Sequence, residues 1–302
     1  MAVQCRPGTM DDSYAVYGVF FRAVEDLSHR LGLKPAKDND DPDKMATQWR
    51  EREPLWRHLC ETADQFWVAE DDDRIIGYAR ATVRDGLQEL TEFFVDPGRQ
   101  AAGVGRELLA RAFPNVGARR RVIVATVDSR AVTRYLRAGV YPRFPTCYLF
   151  GPARAPGVSV EHLAAEPVAG STADLDTLAR IDREVLGYRR DLDHQWLLRG
   201  RRGTLFRKQG RVVGYAYFNG ATSGPIALLD VDDVPAAIAH AEEAAARAGT
   251  EFGLDVPLVN RRAIEYLVRQ GYEMSGFITL LMSDEPFGDF ERYVFTSPQF
   301  FL

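Results

Sequence analysis

Apolar positions recur along this chain with two alternating periods. Val16, Val19, Phe20, Ala23, Val24 and Leu27 fall at helical spacing, and Thr9 or Asp11 can cap the helix they predict. Val3–Cys5, ahead of it, reads as a short strand ended by Arg6-Pro7-Gly8. Residues 33–44 are polar and proline-bearing and predict a loop or exposed turn. A second helical stretch runs over about 45–62 with Trp49, Leu55, Trp56 and Leu59. Phe66–Ala69 and Arg74–Ala81 form a strand pair about the charged turn Glu70–Asp73. Leu87–Val95 is a further strand, stopped by the turn chemistry of Asp96-Pro97-Gly98. A helix over Val104–Phe113 follows, then a buried strand over Arg121–Val127 and a helix between Asp128 as N-cap and Gly139 as C-cap. Tyr148–Phe150 closes this first half as a strand.

Gly151–Gly157 is a linker by composition, and the same order of elements then repeats. Val158–His162 predicts a strand, and Asp174–Val185 and Asp191–Leu198 predict helices. Thr204–Lys208 and Val212–Phe218 make a hairpin in which Arg211–Ala216 echoes Arg74–Ala79. Strands over Ile226–Val231 and Phe252–Val256 flank an alanine-rich helix, Pro235–Ala248. Arg261–Arg269 is a helix ending at Gly271, and residues 277–282 and 292–296 complete the sheet. The reading is α/β with two domains, 1–154 and 155–302, each a mixed, mostly antiparallel sheet flanked by helices.

Composition narrows the setting. At 302 residues two domains are the natural expectation, and 46% hydrophobic with 27% charged residues is ordinary for a globular chain. A net charge of −5 argues against nucleic acid or an anionic membrane as partner. The arginine clusters at 119–121 and at 199, 201 and 202 read as solvated turns and helix ends. Three dispersed cysteines, no metal-ligand spacing and no apolar leader fit a reducing cytoplasm and no metal.

The stretch between strand and helix, Arg99–Gly105, carries the chemistry. Unpaired amides and the positive dipole end at a helix start form an anion site, and absent Cβ atoms at Gly103 and Gly105 let a phosphate approach. Gly105 is followed by Arg106-Glu107, not Lys-Ser/Thr, which excludes a P-loop. The third glycine of a dinucleotide fingerprint is absent too.

What remains, Gln100-Ala101-Ala102-Gly103-Val104-Gly105 after Val95-Asp96-Pro97, resembles the pyrophosphate loop of the GNAT (GCN5-related N-acetyltransferase) superfamily. The hairpin W-V-A-E-x-D-x-x-I-I-G-Y and the helix with Tyr135 four residues before Gly139 resemble further motifs of that family. Asp128, Arg134 and Val140 depart from the Asn, Leu and Phe usual there. The resemblance implies two tandem GNAT-like domains. In the second, Asp232-Asp233-Val234-Pro235-Ala236-Ala237 replaces the loop and Leu267 replaces the tyrosine, which implies a degenerate copy.

It further implies acetyl-CoA as co-substrate and transfer to a primary amine of a small molecule or protein. Gln100, Ala101, Ala102, Gly103, Val104, Gly105 and Arg106 would hold the pyrophosphate. Phe93, Phe94 and Val95 would meet the pantetheine arm, with Asp128 and Ser129 also at the coenzyme, and Tyr135 would protonate the leaving thiolate. Glu89 or Glu92 is the candidate base. Three residues apart on one strand, they face opposite sides unless a bulge intervenes. Trp49, Trp56, His29 and His58 are acceptor-pocket candidates whose simpler reading is core packing for the tryptophans and surface exposure for the histidines. A non-catalytic acyl-CoA sensor and a mycothiol-synthase-like tandem enzyme are the alternatives. Oligomeric state is left open. The apolar C-terminus, Phe295–Leu302, is expected to dock into a groove or pack on its own domain.

Overall fold

The computed structural model describes residues 3–33, 42–99 and 103–299. It divides into two compact units, Met1–Ile123 with Asp128–Val140, and Val124–Val127 with Tyr141–Leu302.

Unit 1 begins with β1 (Gln4–Pro7), α1 (Ser13–Arg30) and α2 (Pro42–Glu61). Strands β2 (Gln65–Asp71), β3 (Arg74–Arg84) and β4 (Leu87–Val95) follow, then α3 (Val104–Ala112), β5 (Arg120–Thr126) and α4 (Ser129–Arg137). β1 to β4 pair antiparallel in chain order, and β5 joins β4 in parallel. One face packs on α1 and α2. There the fully buried Trp56 meets the rings of Tyr17 and Phe20 at 5.1 and 5.2 Å, and Phe20 meets Phe94 of β4 at 5.1 Å. Trp49 packs against Tyr14 and Tyr17. Burying side chains of this size stabilises by roughly 1.5–3 kcal/mol each. Trp56 is therefore core, as its simpler reading had it, and His58 is buried rather than a surface imidazole.

Unit 2 opens with β6 (Tyr141–Pro152), β7 (Ala164–Pro167), α5 (Thr172–Val185) and α6 (Asp191–Gly200). It continues with β8 (Arg202–Lys208), β9 (Arg211–Phe218), β10 (Ile226–Leu228), α7 (Val234–Ala248) and β11 (Glu251–Pro257). Helix α8 (Arg261–Arg269), β12 (Glu273–Ser283) and β13 (Tyr293–Val294) complete it. β7, β8, β9, β10 and β13 form one antiparallel sheet in that order. β6 pairs antiparallel with β11 on one edge and β12 on the other.

Three expectations need correction. The strand expected at Val158–His162 is a turn, closed by Leu163 N–H donating to Val160 O at 3.0 Å, and the strand is the exposed edge Ala164–Pro167 instead. The strand expected at Tyr148–Phe150 spans twelve residues. Pro142, Pro145 and Gly151 hid its pattern, yet partners on both edges hold it extended. Of the arginines read as solvated, Arg121 is buried and Arg201 half-buried. Arg121 donates to Ala138 O at 2.9 Å, and Arg201 donates to the carbonyls of Gly224 and Ser297.

The units divide at Val140 rather than in the Gly151–Gly157 linker, because β6 shares its ladders with strands from beyond residue 250. A fragment cut at residue 154 strips β6 of both these partners and exposes twelve residues of strand edge. Expressed alone, 1–154 should aggregate where the full chain stays dispersed by size-exclusion chromatography. A monodisperse, folded fragment would contradict this account of β6.

Candidate active site

The site is built on β4. Its register against β3 slips by one residue between Arg80/Glu92 and Ala81/Leu90, leaving Thr91 as a bulge whose Oγ1 donates to Arg80 O at 3.1 Å. Glu92 lies opposite Arg80 and Glu89 opposite Thr82. Arg80 and Thr82 are two apart on β3, so the bulge brings Glu89 and Glu92 to the same face, together with Phe94 opposite Tyr78. The alternation that separates them in a regular pleat is broken where it matters.

Glu92 is enclosed. Arg80 Nη1 sits 2.7 Å from its Oε2, Tyr78 Oη donates to its Oε1 at 2.7 Å, and both members of the ion pair have fully buried side chains. Burial pushes the Glu92 carboxyl up, opposed by Arg80 and Tyr78. The Arg80 guanidinium lies 4.3 Å from the centroid of the Phe66 ring. Glu89 is 5% exposed on the same strand.

The far end of β4 turns toward α3. β5 pairs with β4 over Leu87–Leu90 only, so Phe93 and Phe94 lie beyond that ladder. Helix α3 starts with Gly103 as N-cap at φ 78°, in the left-handed region, and no side chain caps it. The amides of Val104 and Gly105 fall in the first turn, where no intrahelical acceptor exists. The Arg106 amide already donates to Gly103 O at 3.0 Å. Gly105 is also approached closely by two side chains. A Cβ there would stand 3.2 Å from the Phe93 ring and 3.4 Å from Arg134 Nε. Gln100, Ala101 and Ala102, expected in this loop, lie outside the described residues.

Tyr135 of α4 packs on the same ring, 6.1 Å between its centroid and that of Phe93. Burial raises its phenol well above the usual value, so it stays protonated through the neutral range. Phe93 thus touches the start of α3 on one side and Tyr135 on the other. Asp128 caps α4 by accepting the Arg130 amide at 2.9 Å. Its carboxylate also pairs with Arg30 at 2.8 Å and Arg130 at 2.9 Å. Burial disfavours the charge, but the two arginines outweigh it and hold the carboxyl far below its ordinary range. Ser129 opens the helix, its carbonyl accepting Thr133 Oγ1 at 2.7 Å.

Sequence reasoning passed over Arg80, Tyr78 and Arg134. An arginine amid the apolar run of β3, opposite a glutamate on β4, was the available sign of a buried pair. Arg134 was noted only as a departure from a motif, although it sets a cation beside Gly105.

Residues 62–141 match the family model of the acetyltransferase (GNAT) domain. No curated protein matches the chain. A putative acetyltransferase from Pyrococcus horikoshii superposes with a TM-score of 0.71 at 15% identity, covering 97% of this chain and 93% of that one. A GCN5-related N-acetyltransferase from Sphaerobacter thermophilus gives 0.56 at 14% identity, with 95% and 97% covered. A tandem GNAT protein from the clavulanic acid biosynthesis pathway gives 0.56 at 13%, with 94% and 99% covered. At these identities the structural likeness is one of fold, and the domain match covers the stretch from the end of α2 to the start of β6. Residues 62–141 thus match an acetyltransferase (GNAT) domain, and the chain as a whole is similar in fold to solved GNAT proteins.

Proposed function

We propose that unit 1 transfers an acetyl group from acetyl-CoA to a primary amine of a small molecule or a protein. The observation that carries this reading is the position of Phe93, in contact with both the uncapped start of α3 and the buried Tyr135. An extended acyl-coenzyme laid along the end of β4 would set its pyrophosphate at the α3 amides and its sulfur toward the phenol.

The residues fit that co-substrate. The amides of Val104 and Gly105 offer donors to an anion, and Arg134 adds a positive charge beside them. When bound, acetyl-CoA supplies the activated acyl group, and the protein supplies proton transfers and position. Glu89 accepts the proton of the incoming ammonium, directly or through water. Glu92, already holding Arg80 and Tyr78, fixes the bulge that presents Glu89. Tyr135 delivers a proton to the departing thiolate, a role that suits a phenol kept neutral by burial.

Arg134→Glu reverses the charge beside the α3 start and should weaken coenzyme A binding by about tenfold or more in calorimetry, with the circular dichroism spectrum unchanged. Undiminished affinity would remove this helix start from the coenzyme site. Tyr135→Phe should lower kcat by roughly a hundredfold, with coenzyme A affinity little altered. Turnover equal to the wild type would strike Tyr135 from the mechanism. Glu89→Gln should abolish the rise of kcat with pH that titration of the base produces. If the rise survives in Glu89→Gln and disappears in Glu92→Gln, the two glutamates exchange roles.

A further inference from the structure

The second unit repeats β4 in register. In unit 1, Gly77, Tyr78 and Ala79 of β3 lie opposite Val95, Phe94 and Phe93. In unit 2, Gly214, Tyr215 and Ala216 of β9 lie opposite Leu228, Ala227 and Ile226. Ile226 and Ala227 are thus the counterparts of Phe93 and Phe94. Their other edge is taken by β13, with Val294 opposite Ile226 and Tyr293 opposite Ala227. The next residue, Phe295, bridges to Asp255 of β11, its N–H donating to Asp255 O at 2.9 Å. The C-terminal segment therefore stands between β10 and β11, where unit 1 has only the short β4–β5 ladder.

We propose that Tyr293–Phe295 is a built-in occupant of the second unit's ligand slot, closing that unit to any acyl-coenzyme and leaving one coenzyme site per chain. The identity of the excluded ligand rests on the reading of unit 1 above. The occupancy itself stands on the register.

Side-chain contacts along its length identify the segment as a seated strand. Asn260 is the N-cap of α8, eleven residues before Gly271, as Asp128 is eleven before Gly139. Its Oδ1 accepts the Ala263 amide, while its Nδ2 donates to Tyr293 O at 3.0 Å. The motif residue that the family resemblance sets at the coenzyme grips the inserted main chain here. Further along, Ser297 Oγ donates to the Asp255 carboxylate, and Arg201 donates to Ser297 O. Gln299 bonds Thr146 at 2.9 Å and Thr279 at 2.8 Å. Phe295 is fully buried and stacks on Phe290 at 5.7 Å. The anion site has gone as well. Asp233 precedes α7, its carboxylate engaged by Lys208 at 2.8 Å and by His162 at 3.3 Å.

Hydrogen exchange read by mass spectrometry on the full chain, with and without coenzyme A, tests this. Amides of 226–228 and 293–295 should be protected in the free protein and unchanged by coenzyme A, while those of 93–95 and 103–105 slow on its addition. Asn260→Asp keeps the α8 cap but loses the donor to Tyr293 O. It should speed exchange at 293–295 about tenfold and leave coenzyme A affinity unaltered. Slowing of 226–228 or 293–295 by coenzyme A, two calorimetric sites per chain, or unprotected 293–295 amides in the free protein would each overturn the proposal. A chain that binds no coenzyme A yet protects 293–295 would overturn the reading of unit 1 and support the occupant.

Discussion

A strand that parts from its neighbour exposes main-chain donors and acceptors that something must satisfy, and both halves of this chain are arranged around that requirement. β4 keeps its ladder with β5 for four residues and then leaves it. β10 has no ladder with β11 among the described pairings and takes β13 instead. The same β-sheet geometry thus accepts an extended chain at the same register. In unit 2 that chain is the protein's own. On the reading proposed here, in unit 1 it is the pantetheine arm of a co-substrate. A strand edge is indifferent to which polymer supplies the hydrogen bonds, so loss of one occupant and gain of another needs no change of fold.

Buried charge follows the same division. In unit 1 the tyrosine of the echoed hairpin, Tyr78, donates to Glu92, a residue of β4 itself. In unit 2 its counterpart Tyr215 donates to Asp182, which comes from α5, and Pro225 stands at the register position of Glu92, its carbonyl accepting the Tyr217 amide. Asp182 also holds Arg190 at 3.1 Å and His194 at 2.8 Å, all three side chains fully buried. Burial opposes the Asp182 charge, but Arg190 and His194 outweigh it and bring its carboxyl down to about 2. Removing one partner from such a pair costs about 3–5 kcal/mol, which makes either cluster expensive to dismantle piecemeal. Unit 1 has tied its cluster to the strand that presents Glu89. Unit 2 has moved it off that strand, and Tyr293 of β13 covers it, its ring centroid 5.3 Å from the Arg190 guanidinium.

Much of this was legible in the chain. The bounds of β4 and α8 fall where alternation, turn residues and caps put them. Gly139 carries the positive φ that its place at the end of α4 implied. What stayed hidden depends on partners far away in sequence. Nothing local marks Thr91 as a bulge, because the slip is a property of two strands in register. Pro142 and Pro145 argue against a strand until β11 and β12 are known to flank it. Residues 292–296 were expected to complete the sheet, and they do, but which gap they complete could not be read from their own pattern.

The two N-caps show how far one motif position can diverge while its local task stays constant. Asp128 and Asn260 each stop the first turn of a helix by accepting an amide, and for that purpose a carboxylate and a carboxamide are equivalent. They differ in what remains. The spare oxygen of Asp128 can only accept, and it is met by Arg30 and Arg130. The spare nitrogen of Asn260 can only donate, and it is met by a main-chain carbonyl of β13. A carboxylate at 260 would face that carbonyl with no proton between them, and a carboxamide at 128 would face two guanidinium groups with a donor. Each residue is matched to the charge opposite it: a carboxylate at 128 suits its arginine neighbours, and a carboxamide at 260 suits the main-chain carbonyl of β13.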